Sequence, residues 1–129
     1  MLETKIKKIL KYLNTGDYKR VINDTIKLSK KNPTNSYLKN LLGFAYLEIK
    51  DLMNAKKNFL GSIKLNPNNI AAINNLANVF KYLHYYEDAE QFYKRALAID
   101  PNYINALNNY GNLKFNNNEP NESIILYKK

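Results

Sequence analysis

The sequence predicts an all-α protein, a right-handed α-α superhelix in which antiparallel helix pairs stack on one another. Two observations carry this prediction. A pattern of residues repeats every 34 positions, and both halves of each repeat carry an apolar stripe with helical spacing. Three of the four prolines mark the period, because Pro33, Pro67 and Pro101 stand 34 residues apart. Such a period is typical of units that cannot bury their apolar faces alone and must stack on neighbours.

The period divides the chain into three full repeats and an incomplete fourth, which together form a single array over residues 2–129. The repeats span residues 2–35, 36–69, 70–103 and 104–129. The sequence ends inside the second helix of the fourth repeat. We therefore expect it to be the N-terminal part of a longer protein.

Each repeat contains two helical segments, which are clearest over residues 36–49 and 52–65 of the second repeat. Apolar residues recur three and four positions apart in both segments, as an amphipathic helix requires. Asp17 and Asp51 stand where a side-chain oxygen can cap the second helix. The prolines of the series end that helix, because the residue before a proline avoids helical angles. Pro120 fits the first turn of the last helix.

Small and aromatic residues recur in fixed columns of the period. Small residues on the first helix and on the second let the two backbones approach closely, and rings cover the joint between them. In the second repeat these columns hold Leu42, Gly43, Tyr46, Ala55, Phe59, Ser62 and Pro67. In the third repeat they hold Leu76, Ala77, Phe80, Ala89, Tyr93, Ala96 and Pro101. This pattern resembles the tetratricopeptide repeat (TPR) family over essentially the whole chain. The resemblance implies the superhelical fold, with the first helices lining a concave inner groove.

The first and fourth repeats depart from the family pattern. In the first repeat, Ile9 and Val21 replace small residues, Thr25 replaces a ring and Lys8 stands in an apolar column. We interpret this repeat as a terminal unit with one unpacked side. The fourth repeat has Lys114 in the ring column, and its apolar positions Ile124, Ile125 and Tyr127 form an exposed edge that allows self-association.

Composition narrows the function classes. The chain has no cysteine, so disulfides and thiolate sites are excluded, and no apolar run is long enough to span a bilayer. We expect a cytoplasmic protein without cofactor, metal or membrane contact. The net charge of +9 comes from scattered lysines. Residues with A/T-rich codons dominate the sequence, which is a sufficient cause for much of that charge. Non-specific polyanion binding is a hypothesis beside the two functions given at the end of this section, and specific nucleic-acid recognition has little support.

The residues offer no material for catalysis. His84, the sole histidine, falls in the turn between the two helices of the third repeat. Glu87 and Asp88 are adjacent and point to different sides of a helix, and we place Glu90 on a solvated face. No glycine-rich phosphate loop is present. We expect this part of the protein not to be an enzyme.

Asparagines mark the predicted inner face. The third repeat carries Asn74, Asn75 and Asn78, and the fourth carries Asn108, Asn109 and Asn112 at the same 34-residue step, with Asn105 one turn earlier. A carboxamide has an acceptor and two donors, so it can pair with the backbone of an extended peptide. The alternative is that asparagine is simply common here. It is, however, a poor residue for a helix interior, so repeated positions need a reason.

The paired asparagines resemble the asparagine ladder in the TPR superhelix of the O-linked N-acetylglucosamine transferases. The resemblance implies that Asn75, Asn78, Asn109 and Asn112 grip the backbone of a partner protein. The second repeat departs from this ladder. There Asn40 is followed by Phe44, and we expect Phe44 and Tyr37 to form a side-chain pocket.

These patterns lead to two hypotheses. The first is a protein–protein interaction module that binds an extended peptide segment of a partner in its concave groove. The alternative is the substrate-recruiting part of a larger glycosyltransferase or sulfotransferase whose catalytic domain lies beyond residue 129. The inner face lacks the lysines and arginines with which some family members clamp a C-terminal carboxylate. Binding of chaperone tails is therefore disfavoured.

Overall fold

Seven helices make up the fold over the part of the chain that the computed structural model describes, residues 1–116. All secondary structure within these residues is helical, and this confirms the predicted all-α class. The helices are α1 (Leu2–Asn14), α2 (Tyr18–Lys31), α3 (Ser36–Glu48), α4 (Leu52–Leu65), α5 (Ile70–Tyr82), α6 (Tyr86–Ile99) and α7 (Ile104–Asn116). None of these seven helices is long and apolar enough to cross a membrane.

The chain divides into two compact units, and the first of them ends at a proline of the 34-residue series. The first unit is Met1–Pro67 and contains α1 to α4, and the second begins at Asn68 and contains α5 to α7. A single array over residues 2–129 stays a prediction. The roles predicted for Pro120, Ser123 and the apolar edge at 124–127 fall outside the described residues.

Capping follows the predicted scheme. The Oδ1 atoms of Asp17 and Asp51 each accept a hydrogen bond, 3.3 Å long, from the backbone N–H three residues later. Asn35 and Asn69 cap the first helices α3 and α5 in the same way, at 3.0 and 3.2 Å. These bonds satisfy N–H groups that a helix start leaves without an intrahelical partner. Each second helix ends two residues before the proline of its repeat, as predicted.

The turn inside each hairpin uses one backbone geometry three times. Gly16, Lys50 and His84 stand 34 residues apart, and their φ angles are 77°, 65° and 64°. The N–H of the next residue bonds to a carbonyl five positions earlier, at 2.8–2.9 Å in all three turns. A left-handed residue with this bond closes a helix in a Schellman motif. His84 therefore lies in an exposed turn, as predicted.

Apolar packing inside the first unit joins α1, α2 and α3. Its core consists of Ile9, Val21, Leu28, Leu38, Leu41 and Ala45. Ile9 and Val21 are only 2% and 0% exposed, although they are larger than the residues the family prefers there. The second hairpin, α3 and α4, closes through Phe59, which is fully buried against Gly43. A small residue on one helix therefore receives a ring from the other, as the repeat columns predict.

Replacing Gly43 with alanine should destabilise the protein. A Cβ atom at this position would lie 2.7 Å from two ring carbons of the buried Phe59, so backbone or ring must move. Overpacking of this kind costs about 1–3 kcal/mol, which exceeds the gain of about 1 kcal/mol in helix propensity. Urea denaturation should report the net loss.

The matched control is Gly61→Ala on α4. There a Cβ atom would lie 3.5 Å from the side chain of Lys39, an ordinary contact. This variant should gain up to about 1 kcal/mol in the free energy of unfolding, because only the propensity effect remains. Equal effects of the two substitutions would contradict the packing explanation.

Candidate functional site

The candidate site lies in the second unit, on α5 and α7. These are the first helices of the third and fourth repeats, and they contact each other directly. It is formed by the side chains that we call the amide row: Asn74, Asn75 and Asn78 on α5, and Asn105, Asn109 and Asn112 on α7. The second helix α6 packs against both α5 and α7. The fold therefore brings asparagines from two successive repeats onto neighbouring helices.

One hydrogen bond joins the two halves of the amide row. The Nδ2 atom of Asn109 donates to Oδ1 of Asn74 at 3.4 Å, across 35 positions of sequence. Asn74 is only 4% exposed, and Asn109 is half-buried. The sequence predicts that Asn74 contacts the peptide, but its side chain is buried in the structure. It holds the carboxamide of Asn109 in place, and Asn109 is the more accessible of the two.

Asn78 is held from the second helix. Its Oδ1 accepts a hydrogen bond from the hydroxyl of Tyr93 on α6, and the Tyr93 side chain is fully buried. Burial raises the pKa of Tyr93, with a smaller contribution from Tyr82. The phenol therefore stays neutral and able to donate at all ordinary pH values. Tyr93 thus fixes the orientation of an amide on the candidate binding face.

The other members of the amide row are more accessible. Asn75 is half-buried, whereas Asn105 and Asn112 are exposed. Together with the half-buried Asn109, they present carboxamide groups at the surface of α5 and α7. Such groups can both donate and accept hydrogen bonds, which matches the needs of a peptide backbone.

The three predicted residues of the first unit lie on α3. Tyr37 is 47% exposed, and Asn40 and Phe44 are half-buried. Their spacing of three and four positions places them along one side of the helix. A side-chain pocket built from Tyr37 and Phe44 stays a prediction.

A charged network holds α7 against α6, and it corrects the sequence analysis. Glu90 was placed on a solvated face, but its side chain is only 29% exposed. Its Oε1 accepts from the hydroxyl of Tyr110 at 2.8 Å, and its two oxygens pair with Lys94 and Lys114, each at 3.1 Å. Lys114, in the ring column, is 11% exposed and lies over the Tyr110 ring. The lysine is accommodated because a carboxylate from the neighbouring helix meets it.

The sequence held partial signals for these contacts. Tyr93 carries a hydroxyl in a column where Phe59 has none, so a buried polar partner was to be expected. Lys114 in an otherwise aromatic column similarly required a nearby carboxylate. The missing information was which side chain on the adjacent helix would face each of them.

Three family models agree with this repeat structure. All three are described as tetratricopeptide repeat, and they match residues 37–69, 70–103 and 92–125, together more than half of the chain. The chain belongs to the tetratricopeptide repeat family. The first two matches coincide with the second and third repeats predicted from the proline period. A comparison with curated protein sequences gives no significant match.

Solved structures of other proteins share the fold over most of the chain. MamA from Desulfovibrio magneticus RS-1 has a TM-score of 0.87 and 18% identity, covering 99% of this chain and 72% of that one. The first TPR of Spaghetti (RPAP3) bound to the HSP90 peptide SRMEEVD has a TM-score of 0.83 and 24% identity, covering 88% and 90%. The second TPR domain of human RPAP3, in complex with the HSP70 peptide SGPTIEEVD, has a TM-score of 0.80 and 20% identity, covering 85% and 92%. These likenesses confirm the predicted helical-repeat superhelix.

The bond between Tyr93 and Asn78 should contribute to the stability of the TPR protein. Tyr93→Phe removes the donor and leaves the half-buried amide oxygen without it, so the free energy of unfolding should fall by about 1 kcal/mol. A double-mutant cycle with Asn78→Ala should show a coupling of at least about 0.5 kcal/mol, because the two groups are in direct contact. Strictly additive losses in urea denaturation would show that the bond is not formed in solution.

Glu90 should make stability depend on pH in the acid range. Burial by itself raises its pKa, but hydrogen bonds from Tyr110, Lys94 and Lys114 outweigh burial and hold the pKa below 4.5. Because the folded-state pKa is depressed, the stabilisation is present at neutral pH and fades as the pH falls below 4.5. Glu90→Gln should therefore cost about 1 kcal/mol at neutral pH and progressively less in acid.

The control for this pH series is Glu87→Gln, on the exposed first turn of α6. It removes the same charge but no network contact, so its cost should stay within a few tenths of a kcal/mol. If the difference between the wild type and Glu90→Gln is the same at neutral and acid pH, the network does not act through the carboxylate charge.

Proposed function

We propose that the chain is a protein-interaction module whose second unit holds an extended peptide segment of a partner along α5 and α7. The more accessible carboxamides of the amide row, those of Asn75, Asn105, Asn109 and Asn112, pair with backbone C=O and N–H groups of the peptide. The recognition is directed at the extended backbone more than at particular side chains. Asn74 and Tyr93 support this row by holding Asn109 and Asn78 in place.

The observation that carries the proposal is the hydrogen bond between Asn109 and Asn74. It ties a carboxamide of the fourth repeat to one of the third, so that the two halves of the amide row are in direct contact. A strand exposes backbone hydrogen-bonding groups along its length at about 3.3 Å per residue. A row of fixed donors and acceptors can hold such a strand in one register.

The burial of Asn74 also weighs against a purely compositional origin for these asparagines. A buried amide costs free energy unless it is hydrogen-bonded, and asparagine is unfavourable inside a helix. An apolar residue would suit a position of 4% exposure better if packing were the sole requirement. The bond to Asn109 offers a reason for the amide, because it orients a more accessible one.

The structural neighbours support peptide binding in general and contrast with this chain in chemistry. The peptides bound to the RPAP3 domains, SRMEEVD and SGPTIEEVD, are rich in carboxylates near their C-termini. The amide row consists of neutral side chains. Lys114, at the C-terminal end of α7, is engaged by Glu90. We therefore propose a peptide that is recognised through its backbone and not through a terminal carboxylate.

The experiment selects binding peptides from a random display library against the full chain and then tests variants by fluorescence anisotropy. Asn75→Ala together with Asn109→Ala should weaken binding about tenfold or more, since each lost hydrogen bond is worth about 0.5–1.5 kcal/mol. Asn23→Ala, an exposed asparagine of α2, is the matched control and should change the affinity less than twofold, within a few tenths of a kcal/mol.

Two further results separate the alternatives. N-methylation of the peptide backbone should abolish binding, whereas exchange of its side chains should be tolerated. An unchanged affinity of the Asn75/Asn109 double variant would end the proposal. A steep loss of affinity with salt would favour polyanion binding instead. The transferase alternative has no support in the comparisons, because the matching family models are all tetratricopeptide repeats.

A further inference from the structure

A basic pocket lies at the N-terminal end of the first unit, between α1 and α2. It encloses about 250 Å³ and is lined by Ile9, Leu28, Asp24 and four lysines. We call it the lysine pocket, and its lysines are Lys5 and Lys8 on α1 and Lys27 and Lys31 on α2. Its apolar lining residues are Ile9 and Leu28, which are 2% and 6% exposed and which we call the apolar floor.

The lysines of this pocket are not neutralised by the protein itself. Within residues 1–116, no ion pair joins any of the four to a carboxylate, although Asp24 lines the same pocket. Lys27 and Lys31 are four positions apart on one helix, and like charges at this spacing repel each other. An arrangement of four positive charges with a single carboxylate among them is therefore most favourable when an anion occupies it.

The repeat register shows what normally covers this face. Lys8 stands in the same column as Leu42, Leu76 and Tyr110, which are 5%, 0% and 8% exposed, whereas Lys8 is exposed. Leu42 on α3 lines a gap together with Ile26 of α2 and with Pro33, which follows α2. Tyr110 on α7 stacks on Tyr93 of α6, with ring centroids 6.1 Å apart. Within each unit, the second helix of one repeat covers this column of the next.

We propose that an acidic α-helix of a partner protein docks on the lysine pocket, in the position that α2 takes on α3 and α6 takes on α7. The apolar floor receives one side of this helix, and its carboxylates pair with the lysines. The second unit contains the same chemistry internally, since Glu90 of α6 accepts a hydrogen bond from Tyr110, the counterpart of Lys8. A helix fits better than a nucleic acid, because no ring and no arginine line the pocket.

The test uses a stapled synthetic helix of the same 14-residue length as α2, with leucines and alanines on one side and glutamates flanking them. A second probe has glutamine in place of every glutamate. Anisotropy titrations of the full chain at low ionic strength should show binding of the acidic probe and at least about tenfold weaker binding of the neutral one. Each exposed ion pair accounts for roughly a two- to fivefold change in affinity.

Two variants of equal charge locate the binding site. Replacement of the four pocket lysines with glutamine should weaken the acidic probe about tenfold or more, because its ion pairs are lost. The control changes four exposed lysines elsewhere to glutamine and should have less than about a twofold effect. The control lysines are Lys11, Lys19, Lys57 and Lys64. Circular dichroism should show equal helix content for both variants.

Several outcomes would overturn the proposal. One is that the acidic probe does not bind at low ionic strength. Another is that both lysine variants weaken binding of the probe equally, because an equal loss indicates general charge attraction. The same is true if oligothymidylate or phosphatidylserine vesicles of equal charge displace the probe as effectively as unlabelled acidic helix does. Finally, the Asn75/Asn109 double variant should leave this binding unchanged. A loss there would place the probe on the amide row.

Discussion

The fold depends on the contact between a ring on the second helix of a hairpin and a small residue on the first. Phe59 against Gly43 shows how little room is left, because a single added carbon would lie 2.7 Å from the ring. In the third repeat, Ala77 and the ring-bearing Tyr93 occupy the same two columns and are both fully buried. This contact sets the distance between paired helices. The position of each first helix against its own second helix, and of the side chains it carries, follows from that distance.

The same column connects the fold to the candidate site. Where the second repeat has phenylalanine, the third has Tyr93, whose hydroxyl extends past the core to Asn78. The packing residue thus also orients an amide on the surface of α5. Glu90 likewise links buried and surface groups between α6 and α7, where it accepts a hydrogen bond from Tyr110 and pairs with Lys114 of α7. Core and surface are linked by single polar atoms placed at the edge of buried rings.

Periodic features could be predicted from the sequence, and pairwise polar contacts could not. The proline spacing and the small columns place the helices to within a residue or two, because each feature recurs and is enforced by local backbone chemistry. The asparagine columns likewise place the amide row on α5 and α7. The burial of Asn74 and the role of Glu90 depend on the rotation of one helix against its neighbour. The sequence of a single helix does not determine that rotation, so the prediction that Glu90 lies on a solvated face was wrong.

The three left-handed turns have a consequence for how the protein tolerates change. Each is closed by backbone hydrogen bonds, and glycine, lysine and histidine all serve at the same position. Since all three residues are exposed, these corners are suitable points for attaching a dye or an affinity tag without disturbing the helices. The corner therefore accepts three different side chains, whereas the column that meets the ring holds only glycine or alanine in the second and third repeats.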